Sequence, residues 1–449
     1  MRLGTFIART AGGAAFAILF GASPAQAAGD PTQAEIAALI ASAPAPHYTC
    51  LRQLHVDPVA GRPWTFYADG GGSRAEPWKS VADADEALDA GRPVLRAGDC
   101  VDLAPGTYEL RQGLRLTRGG SRNAADGYVV YRSPVPGAAR LVAAAPFYAM
   151  IDVKTAYLIL DGLELDGNKA MAQGEGVVAA GNAAQHHIVV ENCRIHDMGG
   201  GGVQLNDSEY FWVVGNDLYR NASTNKYQES GISTYQPQAA LDVAPSPADD
   251  IPFHIIIAGN RSHDNVETYA CGDAPGCHTD GNGVIVDKTR NVDRPGGIPY
   301  SGHILVAANI VTGNGGGGIH LYLSEHVIAA GNLAWNNHVD TNNQGSWRGE
   351  LSNADSDDNR WLGNVGWAKT GPGVLAHNSA ILLAASGGAA PGRNVGWESN
   401  LTCGGDPSVY ALAPGLDPKR NRLDADPAVC QSAIKTGFSH SAQPTATSQ

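Results

Sequence analysis

Two carboxylates, an imidazole and an ammonium group fall within one short stretch, HTDGNGVIVDK, from His278 to Lys288. Paired carboxylates can hold a hard cation such as calcium through oxygen ligands, or divide the work of an acid and a base. A lysine beside them can accept a proton when neighbouring cations or a partly dry groove hold its pKa down. Val284 to Val286 read as a strand, with Asp287 ending it and Asp280 in the preceding bend. A plain turn is normally capped by a single Asp or Asn, so a carboxylate on each side of one strand points to binding or catalysis.

What must position these groups is a repeat. A short β-branched run, an Asn or Gly, a few polar residues and a glycine cluster recur in HIVVENCRIHD (187–197), FWVVGNDLYRN (211–221), HIIIAGNRSHDN (254–265), HILVAANIVTGN (303–314) and HVIAAGNLAWNN (326–337). Asn192, Asn216, Asn260, Asn309, Asn332 and Asn364 mark the turn, and their spacing is a coil of about two dozen residues lengthened by insertions, the signature of a solenoid. Runs such as IVV, IIIA and ILVA suit short parallel strands. One coil cannot bury its own apolar face, but a neighbour stacked about 4.8 Å away pairs the backbone and extends a common core. Asparagines at one turn can bond in a ladder and tolerate a left-handed bend. A leucine-rich repeat would need its leucine spacing, and a propeller would need antiparallel blades; a parallel β-helix needs neither.

Strand side chains alternate between faces. Aligning the stretches from Gly202, Gly231, Gly283, Gly318 and Glu350 sends Gln204, Ser233, Ile285 and His320 outward in one column. Asn206, Tyr235, Asp287 and Tyr322 form the next. Glu350 takes a glycine's place in this outward register, with Arg348 one alternation before it. Stacked polar and aromatic groups suit an extended polysaccharide, and Tyr235 and Tyr322 can stack on sugar rings. Insertions at 222–250, 266–301 and 338–350 interrupt neighbouring coils and are expected to line one wall of a groove. His186, His187, His254, His303 and His326 precede strands at a repeated position and read as a stacked structural column. The glycine runs at 199–202 and 315–318 are bends, because no helix with Lys-Ser/Thr follows them. Trp335, Trp361 and Trp367 read as packing.

The whole chain narrows the setting. Its 449 residues include 56 glycines and carry a formal net charge of −13, which leaves no basic stripe for nucleic acid. Residues 1–27 place Arg2 and Arg9 around an apolar run that ends at Ala25, Gln26 and Ala27, a secretory signal cleaved near Ala27. That run is too short to span a bilayer, so no membrane association is expected. Without a twin arginine the general secretion route is implied, and the expected product is a secreted or periplasmic monomer. The seven cysteines suit an oxidising compartment. Cys271 with Cys277, Cys403 with Cys430 and Cys50 with Cys100 are compatible pairs, though spacing leaves connectivity open. Cys193 reads as a buried free thiol, and the lack of CxxC pairs argues against zinc. Residues 28–63 read as a loose leader with one short helix, 64–431 as the β-helix domain, and 432–449 as a disordered polar tail.

The entry to the solenoid, TFYADGGG, PWKSVADADEALDAG and GDCVDLAPGTYEL, gives a strand, a short helix and a strand with a Pro-Gly turn. Over roughly residues 64 to 405 the chain resembles the right-handed parallel β-helix, pectate-lyase-like superfamily. That resemblance implies an all-β fold, a right-handed parallel β-helix solenoid with a short N-terminal capping helix. It is specific for fold, since the same fold hosts lyases, hydrolases, epimerases and phage tailspikes.

Elimination from a uronic acid needs the C6 carboxylate neutralised, a base for the C5 proton and a proton for the leaving oxygen. Ca2+ held by Asp280, Asp287 and Glu350 would supply the first, and would let an acidic protein grip an acidic polysaccharide. Lys288, Arg348 and His320 are the base and proton-transfer candidates, with Tyr235, Tyr322 and His278 on the substrate. The resemblance supports this, because superfamily lyases set a Lys or Arg base beside calcium-binding acids. The expected activity is a polysaccharide lyase acting on an anionic, uronate-containing polymer by calcium-assisted β-elimination. A hydrolase is the alternative, since HTDG is similar to the Asn-Thr-Asp-Gly box of polygalacturonase-like enzymes and would make Asp280 a catalytic carboxylate. The Gly-His-Gly and Arg-Ile-Lys boxes of that group are absent, and Asp357 and Asp358 lie coils away. A C5-epimerase, which differs in the face reprotonated, and a non-catalytic carbohydrate-binding β-helix complete the readings.

Overall fold

The structure is a computed structural model that describes residues 31–121, 127–181, 183–241, 249–270, 277–294, 296–343, 349–375, 377–384, 392–411 and 416–441. The proposed signal segment lies outside them. Sheet A has eleven strands from Arg52–Val56 to Gly396–Glu398, sheet B ten from Gly106–Leu110 to Leu401–Gly404, and sheet C ten from Leu114–Leu116 to Val409–Ala411. The chain visits the three sheets in turn, so every third strand in sequence is a neighbour in space. Ile188–Glu191, for instance, pairs in parallel with Leu158–Asp161 and Phe211–Val214. This is a three-sheet parallel β-helix, whose crossovers are right-handed as a rule. Inward residues such as Ile188, Val190, Ile195, Val203, Ile257 and Val286 share one core along its length.

The A-to-B bend carries an asparagine ladder that keeps five of the expected six members, loses Asn192 and gains Asn400 and Asn421. Asn216, Asn260, Asn309, Asn332, Asn364 and Asn400 each pass an Nδ2 hydrogen to the next Oδ1 at 2.9 or 3.0 Å, and Asn421 is the last acceptor. Asn192 is not one of them. It sits in the left-handed position otherwise filled by Gly215, Gly259 or Ala308, and Cys193, a buried free thiol, takes the ladder place and donates its backbone N–H to Asn216. A second ladder, unforeseen, runs through Asn265, Asn314 and Asn337 at the B-to-C bend. The histidine column is structural: Tyr157, His187, Tyr210 and His254 stack at 4.4, 4.5 and 4.6 Å. Trp361 stacks on Trp397 in the core at 4.7 Å, whereas Trp335 and Trp367 are only half-buried, paired across sheet B.

Helices close the ends. α2 (Val81–Asp89), capped by Ser80 accepting from the Asp83 N–H at 3.0 Å, buries Val81, Ala84, Ala87 and Leu88 on the first coils. α3 (Pro427–Ser441) corrects the expectation of a disordered tail from 432, because the chain remains helical to Ser441 and Cys403–Cys430 ties it to the last coil. No helix among the described residues is long and apolar enough to cross a membrane.

The N-terminal leader is also corrected. α1 (Pro31–Ala41) lies on the outer face of sheet A near its far end, where Glu35 pairs with Arg360 and Ile36 is buried. The segment then returns along that face until Tyr48 donates to Asp161 at 2.6 Å and Cys50 bridges to Cys100. Ile36, Leu39, Ala43, Ala45 and Tyr48 pack against Leu362, Leu305, Ile256, Trp212, Val189 and Val130. Arg52–Val56 then pairs with Asp99–Leu103, so the solenoid begins before residue 64.

Candidate functional site

Register in sheet C is as alternation predicts. Gln204, Ser233, Ile285, His320 and Ser352 align across adjacent strands, and so do Tyr235, Asp287 and Tyr322. The insertions flank this face on two sides rather than one. Residues 222–230, 277–282 and 338–343 belong to the B-to-C bend, where Gln228 accepts from the Thr279 N–H at 2.6 Å and Asn343 donates to the carbonyls of Thr279 and Asp280 at 3.0 Å. The opposite, C-to-A wall is held by Arg294 paired with Asp207 and by Tyr300 donating to Glu209 at 2.9 Å.

The structure brings part of the expected set together. Asp287 ends its strand facing out, and its Oδ1 is shielded from solvent with no hydrogen-bond partner. Asp280, in the bend at a φ of +30°, accepts from Asn282 at 3.0 Å. Burial, reinforced by Asp280, pushes Asp287 up to about 8, and burial raises Asp280 to about 6 despite its hydrogen bond from Asn282 and the nearby charge of Lys288. Lys288 sits in the left-handed region at +56°. Its Nζ lies 2.5 Å from Asp293 and 5.6 Å from the Tyr235 ring centre. Burial acts to lower the Lys288 pKa, but Asp293 and Asp287 outweigh it and hold the ammonium above its ordinary value. Tyr322 flanks the same spot. His278 is fixed by Asp340 at 2.8 Å, on the B-to-C wall.

The other candidates do not join them. His320 points the expected way but is roofed over, bonded to Ser352 at 2.9 Å, and burial together with His338 pushes its imidazole down to about 3. So weak a base does not collect a proton from substrate. Glu350 is buried inside the coil, where it accepts from the Asn337 backbone and side chain and ends the second ladder. Glu350 stands at the start of the strand Gly349–Ala354, in line with bend glycines of the preceding coils where Cβ turns inward: a Cβ on Gly231, Gly283 or Gly318 would meet Asn265, Asn314 or Asn337. Arg348 lies outside the described residues, as does Cys271; Cys277 is disulfide-bonded.

No family model matches the chain, and no curated protein matches it. Solved structures do. A pectate lyase, Pel9A, is 16% identical over 82% of this chain and 82% of its own, with a TM-score of 0.41. The A-module of the mannuronan C-5 epimerase AlgE6 of Azotobacter vinelandii is 14% identical over 77% and 95%, at 0.38. A rhamnogalacturonan lyase is 11% identical over 83% and 87%, at 0.43. The parallel β-helix itself stands on the strand pairing of this chain. The likeness is one of fold and does not bear on the reaction.

Several polar groups escaped the sequence reading. Asp293 pairs with Lys288 from the C-to-A wall. Glu175, Glu229 and Glu267 lie buried along the B-to-C bend, each raised by burial, and the charge of Asp280 adds to the rise of Glu267 to about 8. The signal was available, since Glu175 and Glu229 stand within two residues of the bend glycines Gly176 and Gly231. On sheet B, Asp166, His196 and Asp197 approach closely enough to hold an ion. Their charges are already met, because Arg140 pairs with Asp166 and Arg220 grips Asp197 at 2.6 and 2.7 Å.

Proposed function

We propose that the protein is an exported polysaccharide lyase that cleaves a uronate-containing polymer by calcium-assisted β-elimination on the outer face of sheet C. One observation carries this reading: a shielded carboxylate oxygen of Asp287 without a donor, beside Asp280 and Lys288. A buried charge without a partner is costly, and a hard cation that prefers oxygen ligands relieves it. When bound, calcium would neutralise the uronate carboxylate and acidify the C5 proton. Asp280 and Asp287 are the residues to hold it. Lys288 Nζ, in the neutral fraction that rises with pH, takes the C5 proton, the C5–H electron pair forms the C4–C5 double bond, and the C4–O bond breaks with its electron pair on the leaving oxygen, which takes a proton from water. Tyr235 and Tyr322 offer rings on which the sugar chain can lie.

The raised carboxylates set the pH dependence of metal binding. Both must lose their protons to ligate, so calcium affinity falls as pH drops from about 8 to about 6. Calorimetric calcium titrations across that window should show it. Asp280→Asn and Asp287→Asn should each weaken calcium binding by about tenfold or more, and unchanged binding in both would remove the metal from this site.

Asp293 keeps Lys288 protonated. Asp293→Asn is therefore expected to move the acid limb of the kcat/KM profile to lower pH by about one unit. An unmoved limb would show that Lys288 is not the titrating base.

A hydrolase is the second reading, favoured by the separation of Asp287 at about 8 from Asp280 at about 6. That gives one carboxyl protonated at neutral pH beside one ionised, as acid and base catalysis requires. New reducing ends without an unsaturated product would select it.

A further inference from the structure

Asp280 is held by a side chain that ties three coils together. Asn282 Nδ2 donates to Asp280 Oδ1 at 3.0 Å and to Ser230 Oγ at 3.1 Å, and the Asn282 backbone N–H reaches the same Ser230 Oγ at 3.1 Å. Its Oδ1 accepts from the Gly317 N–H at 2.7 Å. Ser230, Asn282 and Gly317 precede the strands Ile232–Tyr235, Val284–Asp287 and Ile319–Tyr322, which are neighbours in sheet C. The buried amide therefore has its carbonyl and both donor hydrogens engaged.

The next coil is shaped to this contact. Gly316 donates its N–H to the Gly281 carbonyl at 2.9 Å, and a Cβ there would collide with the Asp280 carbonyl oxygen. Asp280 itself takes a φ of +30°, a backbone that is costly for any residue with a Cβ. Bonds from two sides hold it there, since Asn343 also donates to its carbonyl at 3.0 Å.

The holder is neutral, and that sets this carboxylate apart. On sheet B the guanidinium groups of Arg140 and Arg220 pair with Asp166 and Asp197 and cancel their charge. An amide directs the Asp280 carboxylate without cancelling it, so the charge stays available to a hard cation. Partners that orient a ligating carboxylate contribute strongly to metal affinity.

We infer that Asn282 is a positioning residue for the cation at Asp280 and Asp287, fixing the Asp280 carboxylate before the ion arrives, and that Gly316 serves the same end by admitting the next coil against the turn. The inference rests on the reading that these two carboxylates hold calcium.

Calorimetric calcium titration of the full protein tests it without recourse to turnover. Asn282→Ala should weaken calcium binding about tenfold. Ser230→Ala loosens the same knot but leaves the bond from Asn282 to Asp280, so it should lower the unfolding midpoint while calcium affinity stays that of the parent. Parent affinity in Asn282→Ala, or an equal loss in Ser230→Ala, overturns the inference. Hydrogen exchange on the parent protein decides the matter if Asn282→Ala does not fold. Calcium is expected to slow exchange in the segment that contains Gly316 and Gly317, and Asp287→Asn to abolish that slowing; exchange there indifferent to calcium overturns the inference as well. Calcium affinity undiminished in both Asp280→Asn and Asp287→Asn faults the metal reading itself, whereas affinity lost in those two and kept in Asn282→Ala faults only the positioning role.

Discussion

Lys288→Ala is expected to lower β-elimination about 1000-fold, within the range for loss of a positioned general base, while the circular dichroism spectrum and unfolding midpoint stay those of the parent. The fold should tolerate the change because, among the described residues, Nζ has a side-chain hydrogen bond only to the exposed Asp293, and alanine meets the left-handed backbone at 288 no worse than lysine does. Turnover is read from the ultraviolet absorbance of the unsaturated uronate on acidic polysaccharides, with calcium and then with chelator. A loss confined to kcat would place the residue in the transition state, whereas a rise in KM alone would make it a binding group. Full activity would remove Lys288 from the chemistry and leave the two carboxylates as the reacting pair.

Deleting residues 31–49 is expected to destabilise the protein more than any single substitution on sheet C. The deletion uncovers Val130, Val189, Trp212, Ile256, Leu305 and Leu362 along one continuous face, a patch of the kind that drives association. Ile36→Ala, a gentler version, should cost about 2–5 kcal/mol, since Ile36 is fully buried against that face. Denaturant unfolding measures the second, and binding of a dye for exposed apolar surface measures the first. An unchanged midpoint in the deletion would mean that the segment merely rests on the sheet.

The same segment shows where sequence reasoning ended. Coil length, strand order and the outward columns of sheet C were legible because alternation and turn asparagines are local signals. The cover on sheet A was legible in principle: Ile255, Ile256 and Ile257 are apolar on both faces, which requires burial on both. What it lacked was a partner pattern, because residues 31–50 have neither repeat nor strong periodicity. Glu350 failed for a different reason. Alternation holds within a strand, but the column of Gly231, Gly283 and Gly318 lies in the bend, where the chain turns its Cβ positions toward the asparagine ladder. Asp287 and Lys288 could be paired by their adjacency in the chain. Asp293 could not be oriented, since it reaches Lys288 only because the wall folds back.

The N-terminal segment also acts as a gauge. Between Cys50, bonded at the strand Asp99–Leu103, and Ile36, seated by Arg360–Leu362, sheet A takes eight strand-to-strand steps, or about 38 Å. The chain from residue 36 to 50, part helix and part extended, reaches about 38 Å at most. There is no slack for another coil. Solenoids lengthen readily by duplicating a repeat, but in this chain a duplicated coil within that span would outrun its tether unless one or two residues were added to the segment at the same time. Its number of coils, and with it the length of groove offered to a polymer, is thus tied to a stretch of sequence far from any groove residue.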